Sequence, residues 1–199
     1  NEANAVDVDW YTAYDVHEED SVNLLDPSGE NGGGREFYGE AMNSKKRSLT
    51  ITFPMQNVRT DMLTTCRVDL AAYAGEITPV QVSYAGTTNT CNIPGVGVSD
   101  FFTKAEVKTL EINTKATSTN DQELRLNFKS NVSGAMAYLN YIEMNVPCDL
   151  VLIGNAMPIA NTQMLGLNPT IRFHLRGADT QTQIWRIGDG VNIEQMPTS

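Results

Sequence analysis

Basic residues are scarce in this chain of 199 residues, with 14 Lys and Arg against 24 Asp and Glu and a formal net charge of −10. A protein that binds nucleic acid needs a basic footprint for the phosphates, and docking on an anionic membrane needs basic residues as well. No segment approaches the ~18 consecutive apolar residues of a membrane helix. We therefore expect neither a nucleic-acid partner nor membrane insertion.

Cysteine is also rare. Cys66, Cys91 and Cys148 allow at most one disulfide, with three possible pairings that the sequence leaves open. No CxxC motif occurs and no cysteine lies near a histidine in sequence, so a zinc site is not expected. Cys66 alternates with polar residues in the run CRVDL, which predicts a small core residue.

The chain has only two histidines, His17 and His174. Alternation places His17 opposite Val16 and places His174 between Phe173 and Leu175, so both are predicted to face solvent. A cysteine peptidase needs a thiol beside a histidine, and neither histidine has a cysteine nearby in sequence. We therefore predict no catalytic residue in this chain.

The acidic run at residues 18–20 has two interpretations. The first is a solvated strand end. The second is a calcium site to which Asp15 or Asp26 contributes, because carboxylates are the ligands that calcium prefers. The sequence does not decide between them, and we assign no metal, cofactor or other site residue.

Alternation with a period of two recurs along the chain and predicts roughly ten half-buried strands. The clearest example is residues 124–129 (LRLNFK), and turn signals such as Ala85-Gly86 and Ser133-Gly134 separate the runs. We expect an all-β antiparallel sandwich of the jelly-roll type, as a single domain over residues 1–199. Residues 26–35 and 87–100 are predicted to be long surface loops, and Trp10 and Trp185 are predicted to lie in the core.

Both ends of the sequence look internal to a longer protein. Residues 1–9 are acidic and lack the apolar segment of a secretory signal. Residues 191–199 are polar and are predicted to be irregular, as expected of a connection between domains. We therefore expect a fragment of a larger exported protein.

Three separated segments carry a resemblance to a known family. The first is residues 18–24 (EEDSVNL) followed by a glycine-rich loop and residues 35–40 (REFYGE); the others are residues 135–145 (AMAYLNYIEMN) and 183–190 (QIWRIGDG). In this order they resemble the region before the catalytic domain of the type IX secretion sortases, the PorU-like members of the gingipain-type cysteine peptidases. Asn140 stands where that family commonly has Asp, and Arg186-Ile187-Gly188 replaces its usual Asp-Val-Thr.

The resemblance implies that the full-length protein is an exported peptidase or transpeptidase at the outer membrane, cell surface or periplasm. Such an enzyme removes C-terminal sorting domains from cargo. Its catalytic His and Cys would lie after Ser199, so this chain would be a non-catalytic scaffold or interaction domain. Its partners would be the downstream peptidase domain, with Trp185 at the junction, and other secretion components.

A carbohydrate-binding jelly roll of a cell-surface protein is the alternative function. It requires exposed aromatic side chains beside a concave sheet, with polar groups oriented toward the sugar hydroxyls. The candidates for this role are Tyr11, Tyr38, Tyr73 and Trp185.

Overall fold

The computed structural model describes residues 5–24, 36–97, 104–164, 170–188 and 192–198. Strands dominate these residues, and the only helical element among them is a 3-10 turn at Thr162–Met164. The all-β prediction is confirmed. Thirteen strands lie within the described ranges: β1 Val6–Val8, β2 Trp10–Glu18, β3 Ala41–Met42, β4 Ser48–Phe53, β5 Leu63–Tyr73, β6 Thr78–Tyr84, β7 Thr87–Ile93, β8 Glu106–Lys115, β9 Gln122–Phe128, β10 Met136–Asp149, β11 Ile171–Phe173, β12 Trp185–Ile187 and β13 Ile193–Gln195.

Nine of these strands form two sheets, and eight of the nine have jelly-roll connectivity. One sheet has the order β2-β10-β5-β8, with β3 also paired to β10, and the other has the order β4-β9-β6-β7. The neighbours are therefore nested in sequence: first with last (β2 and β10), then β4 and β9, β5 and β8, and β6 and β7. Successive wrapping of this kind defines a jelly roll, so the sandwich prediction is confirmed.

Strand β9 is an inner strand of its sheet and has one face in the core. Leu124, Leu126 and Phe128 are almost completely buried, whereas the residues between them are exposed or half-buried. β9 pairs antiparallel with β4 on one side and with β6 on the other. One face of the strand is thus available to the core, as the period of two predicts.

The two sheets contact each other through β7 and β8. The Thr87 hydroxyl donates to Thr114 Oγ1 at 3.0 Å, and the Cys91 thiol lies 3.7 Å from the carbonyl oxygen of Lys108. Between the sheets lies the main apolar core. Its largest fully buried side chains are Met42, Leu70, Tyr84, Ile93, Ile112, Leu124, Leu126, Phe128, Leu139, Ile142 and Met144.

A β-bulge interrupts β10. Leu139 pairs with Leu70 and Tyr141 pairs with Asp69, which leaves Asn140 as the extra residue. The burial pattern changes parity at this point, because Leu139 is buried before the bulge and Ile142 after it. At the bulge the amide side chain of Asn140 contacts Asp69, and only 6% of the residue is exposed.

The chain divides into two compact units. One comprises residues 12–148 and holds nearly all of both large sheets; the other comprises residues 1–11 and 149–199. In the second unit β1 pairs in parallel with β11, and β12 pairs antiparallel with β13. The expectation of a single domain over residues 1–199 stays a prediction, because compactness alone does not mark a domain boundary.

Several local predictions were wrong. Residues 87–93 form strand β7 rather than the start of a loop, because the tight turn at Ala85-Gly86, with φ of 47° and 78°, forms a hairpin with β6. Its Thr- and Asn-rich sequence hides the strand, since β7 is an edge strand with few buried positions. Residues 193–195, predicted to be irregular, form β13. The predicted loop at residues 26–35 lies outside the described residues.

Among the described residues, no helix is long and apolar enough to cross a membrane.

Candidate functional site

Three side chains that can ligate metals meet where β2 ends and β3 begins. A ring nitrogen of His17 and carboxylate oxygens of Glu19 and Glu40 all lie within 4.8 Å of one another. The Nε2 atom of His17 lies 2.7 Å from Glu40 Oε1. The side chains of His17 and Glu40 are 23% and 15% exposed, whereas Glu19 is exposed. We call these three residues the His17 cluster.

The sheet topology explains how residues 17 and 40 come together. β5 pairs along one edge of β10, so β2 and β3, which also pair with β10, share its other edge. Gly39 then anchors the segment, since its amide donates to the Leu139 carbonyl at 2.7 Å. A Cβ atom at position 39 would lie only 2.9 Å from Glu19. Glycine is therefore required for this close approach.

The prediction that His17 faces solvent was wrong. Beyond Thr12 the burial of β2 reverses, so Tyr14 and Val16 are exposed and His17 is half-buried against Glu40. Apolar parity identified the buried face correctly only for the first residues of β2. His174 faces solvent as predicted, because its side chain is exposed. Its Nε2 lies 2.9 Å from Asp7 Oδ1.

The acidic run at residues 18–20 contributes one member, Glu19, to the His17 cluster, while Glu18 and Asp20 are exposed. The Asp15 carboxylate, proposed as a calcium ligand, accepts a hydrogen bond from the Val16 amide at 2.9 Å. Asp26 lies outside the described residues. Glu40 was not considered from the sequence, although it ends the segment REFYGE that carried the resemblance.

All three cysteines are buried, and none of them forms a disulfide. Burial raises the pKa of the Cys66 thiol to about 12 and that of the Cys91 thiol to about 11. Since the thiolate is the nucleophile in cysteine chemistry, these thiols are unreactive in the folded chain. The predicted core position of Cys66 is confirmed, because the residue is completely buried.

A buried polar network surrounds the bulge in β10. The carboxylate of Asp69 accepts a hydrogen bond from the Thr109 hydroxyl at 2.5 Å and another from Asn140 Nδ2 at 3.0 Å. The same amide nitrogen lies 3.2 Å from Glu36 Oε1. Burial, with the charge of Glu36 next, raises the pKa of Tyr38 to about 12. The amide of Asn140 thus supplies donors to two carboxylates.

An exposed apolar face lies on the hairpin of β12 and β13. Ile187 and Ile193 face each other across the hairpin and are 74% and 65% exposed, and Trp185, two residues before Ile187, is 51% exposed. The predicted core role of Trp185 is therefore wrong, whereas Trp10 is buried. In sequence, Trp185 and Ile187 give no sign of this exposure, because an alternating apolar pattern is the same whether or not a partner covers it.

Two of the four aromatic candidates for sugar binding are buried. Tyr11 and Tyr38 are buried, and the exposed Tyr73 and Trp185 belong to different compact units. A shallow depression of about 390 Å³ in the larger unit is mainly polar, and its aromatic member, Tyr84, is buried.

These features define the chain as a jelly-roll β protein with a His-Glu cluster and an exposed apolar hairpin. Among solved structures it is similar to dimeric latent PorU from Porphyromonas gingivalis, with a TM-score of 0.80 and 20% identity over 98% of this chain and 18% of PorU. The chain thus spans less than a fifth of PorU. At this identity the match shows a common fold.

Two carbohydrate-binding modules are more distant. A family 36 module in complex with calcium and xylotriose has a TM-score of 0.40 and 18% identity, over 66% of this chain and 98% of the module. A family 35 module from Cellvibrio japonicus has a TM-score of 0.36 and 10% identity, over 76% of this chain and 91% of that chain. No protein-family model and no curated protein sequence matches the chain significantly.

Proposed function

We propose that this chain is the non-catalytic β region of an exported cysteine peptidase of the type IX sortase kind. Its role is to position a peptidase domain of the same polypeptide. The observation that carries the proposal is the similarity of 98% of the chain to one region of the much longer PorU, at a TM-score of 0.80. The activity itself, removal of sorting domains from secreted cargo at the cell surface, belongs to the full-length protein.

The placement of the sequence motifs supports this assignment. The segment EEDSVNL starts at the end of β2, and REFYGE leads into β3. Val22 and Tyr38 form a bridge that joins the two. The second segment is most of β10, the strand to which β2 and β3 pair, and the third contains β12. The first two segments thus lie next to each other at one sheet, as expected if they form one structural feature of the resembled family.

The burial of the cysteines supports a non-catalytic role. Each thiol is buried, and the two histidines are paired with Glu40 and Asp7 rather than with sulfur. Cysteine peptidases require a thiolate that an imidazole can stabilise. We therefore expect the chain alone to cleave no peptide.

The exposed face of the β12–β13 hairpin is the best candidate for the contact with the peptidase domain. Within the described residues, β12 and β13 pair only with each other. A two-stranded hairpin is marginally stable in water by itself, and exposed apolar clusters mark interaction sites. The peptidase domain is the expected occupant because β12 carries the segment that precedes that domain in the resembled family.

The test compares this chain with the longer polypeptide that its gene encodes. We expect the reading frame to continue beyond Ser199 into alternating strands and helices that carry a His and a Cys in separate loops. Hydrogen exchange measured by mass spectrometry should show amides of residues 185–187 and 193–195 protected in the long form and exchanging rapidly in this chain. The double variant Ile187→Ser, Ile193→Ser should abolish the difference.

Val107→Ser is the matched control, because Val107 is an exposed apolar residue on β8 of the other unit. It should leave the protection of the hairpin unchanged. A stop codon soon after Ser199, or a continuation into another β sandwich, would overturn the proposal. Peptide cleavage by this chain that an alkylating agent abolishes would overturn its non-catalytic assignment.

A further inference from the structure

The His17 cluster has the composition of a site for a divalent transition metal. It supplies one imidazole nitrogen and two carboxylate oxygens, all within 4.8 Å of one another. Its members come from two different segments, the end of β2 and the start of β3, which the pairing with β10 holds side by side. The cluster is therefore fixed by the fold rather than by adjacent residues of one flexible loop.

A second observation points to a ligand at the cluster. Glu40 Oε2 is inaccessible to solvent and has no hydrogen-bond partner in the part of the chain that the structure describes. Its other oxygen, Oε1, faces His17 at 2.7 Å. An unpaired carboxylate oxygen that is removed from water is unfavourable, because it has lost its hydrogen bonds to solvent without replacement. A cation that binds both oxygens of the Glu40 carboxylate satisfies Oε2, whereas the contact between His17 and Oε1 does not.

We propose that His17, Glu19 and Glu40 bind a zinc ion, with solvent in the remaining position. The donor set favours zinc over calcium, because calcium takes oxygen ligands almost exclusively and zinc is commonly bound by imidazole together with carboxylates. This site differs from the calcium site considered from the sequence, which used carboxylates alone. It also departs from the sequence-based expectation of no zinc site, which rested on the cysteines.

The geometry requires a small adjustment when zinc binds. Zinc ligands at about 2.0–2.2 Å from the metal lie roughly 3.3 Å apart in a tetrahedral site. The separation of 2.7 Å between His17 Nε2 and Glu40 Oε1 must therefore widen slightly as the metal enters. Glu19 is exposed, so a rotation of its side chain brings the third oxygen closer without disturbing the core.

The metal would join the end of β2 to the start of β3. The segment between these strands closes through Val22 and Tyr38, whose amides and carbonyls exchange hydrogen bonds at 2.8 Å. A zinc ion at the cluster adds a second link across the same segment. Zinc therefore stabilises this end of the sheet, in the manner of a structural metal.

The experiment measures binding of zinc chloride and calcium chloride to the metal-free chain by isothermal titration calorimetry, after dialysis against EDTA. Cobalt chloride serves as a spectroscopic probe, since a four-coordinate site of this kind gives visible absorption bands. We expect one zinc ion per chain, a rise in melting temperature with zinc, and no comparable effect of calcium. His17→Gln and Glu19→Gln should each weaken zinc binding by at least about tenfold.

Two control variants separate ligation from non-specific effects. His174→Gln removes the other histidine, which is exposed and paired with Asp7, and Glu18→Gln removes an adjacent exposed carboxylate. Both should bind zinc as the unmodified chain does. Since Glu19 is exposed, Glu19→Gln keeps the test valid even if His17→Gln does not fold.

Zinc binding that persists in Glu19→Gln and His17→Gln, or that is lost in His174→Gln, would overturn the proposal. Absence of zinc binding, or calcium binding of equal affinity, would overturn it as well. None of these outcomes depends on the sequence beyond Ser199, so the metal site and the proposed sortase function succeed or fail independently.

Discussion

Replacement of Asn140 by Asp tests the polar network at the bulge. Asn140 Nδ2 donates to Asp69 Oδ2 at 3.0 Å, and both residues are at least 94% buried. In the Asn140→Asp variant a carboxylate would replace that donor and face a second carboxylate. A hydrogen bond to a charged group contributes about 1.5–3 kcal/mol, and an uncompensated buried charge brings the total cost to about 3–5 kcal/mol. We expect a loss of this size in the free energy of unfolding at pH 8. The contact with Glu36 adds little, because Glu36 is exposed.

The loss should depend on pH in a defined direction. Two adjacent carboxylates share a proton in the folded variant, so one of them titrates at a higher pKa than in the unfolded chain. The folded variant thus binds more protons than the unfolded chain, and its stability falls as pH rises through the folded pKa. Urea denaturation followed by circular dichroism at pH 5 and pH 8 measures this difference.

Asn145→Asp is the matched control for this variant. It makes the same substitution on β10 at a half-buried position opposite Thr65, and we expect a change within about 0.5 kcal/mol at either pH. If Asn140→Asp destabilises the chain by less than about 1 kcal/mol with no dependence on pH, the amide does not hold the two carboxylates together as described.

Three further predictions concern the core, a thiol and a surface ion pair. Phe128→Ala should lower the free energy of unfolding by about 3–5 kcal/mol, whereas Asn127→Ala, on the other face of β9, should change it little; equal effects in chemical denaturation would contradict the assigned faces. Iodoacetamide at pH 8 should modify Cys66 only after urea unfolds the chain, because burial raises the pKa of this thiol to about 12; rapid modification of the folded chain would refute this. The hydrogen bond with His174, followed by that with Arg172, lowers the pKa of Asp7 below its usual value. The stabilisation is therefore present above the unfolded pKa of Asp7 and is lost as the pH falls through the folded pKa. His174→Gln should raise the pKa of Asp7 in an NMR titration, and an unchanged value would exclude this cause.

The sequence predicted the jelly roll because most core strands have one buried face. In β6 and β9, for example, Val82 and Leu126 lie within uninterrupted alternation, and both are completely buried. The edge strand β7 was not predicted, because it has one neighbouring strand and few buried positions. Polar residues such as Thr and Asn are compatible with such a strand, so its sequence lacks the alternation of apolar residues. Alternation of apolar residues thus indicates which strands are buried on one face. It does not indicate a strand that is paired at an edge but exposed.

The bulge in β10 could have been predicted from the same sequence. The buried residues Ala137 and Leu139 have odd numbers, whereas Ile142 and Met144 have even numbers. A change of parity within one strand requires an extra residue, which is what a β-bulge supplies. The family resemblance marks Asn140 as unusual, although its contact with Asp69 depends on strand pairing that the sequence does not give.

The His17 cluster could not be predicted by the same means. His17 and Glu40 are 23 residues apart, and their contact depends on two segments sharing one edge of β10. The parity of Val16 misassigned the histidine, because an exposed valine on a partly covered strand is indistinguishable in sequence from a buried one.

The two compact units differ in how they bury apolar side chains, and this difference bears on the proposed function. Of the twelve largest fully buried side chains among the described residues, only Leu150 belongs to the unit formed by residues 1–11 and 149–199. That unit instead exposes Phe173, Trp185, Ile187 and Ile193. Because strands gain most of their stability from burial of one face, the larger unit has a core of its own, whereas the strands of the smaller unit have little. A cover for the β12–β13 hairpin would bury these side chains, and the peptidase domain that we propose would provide one within the same polypeptide.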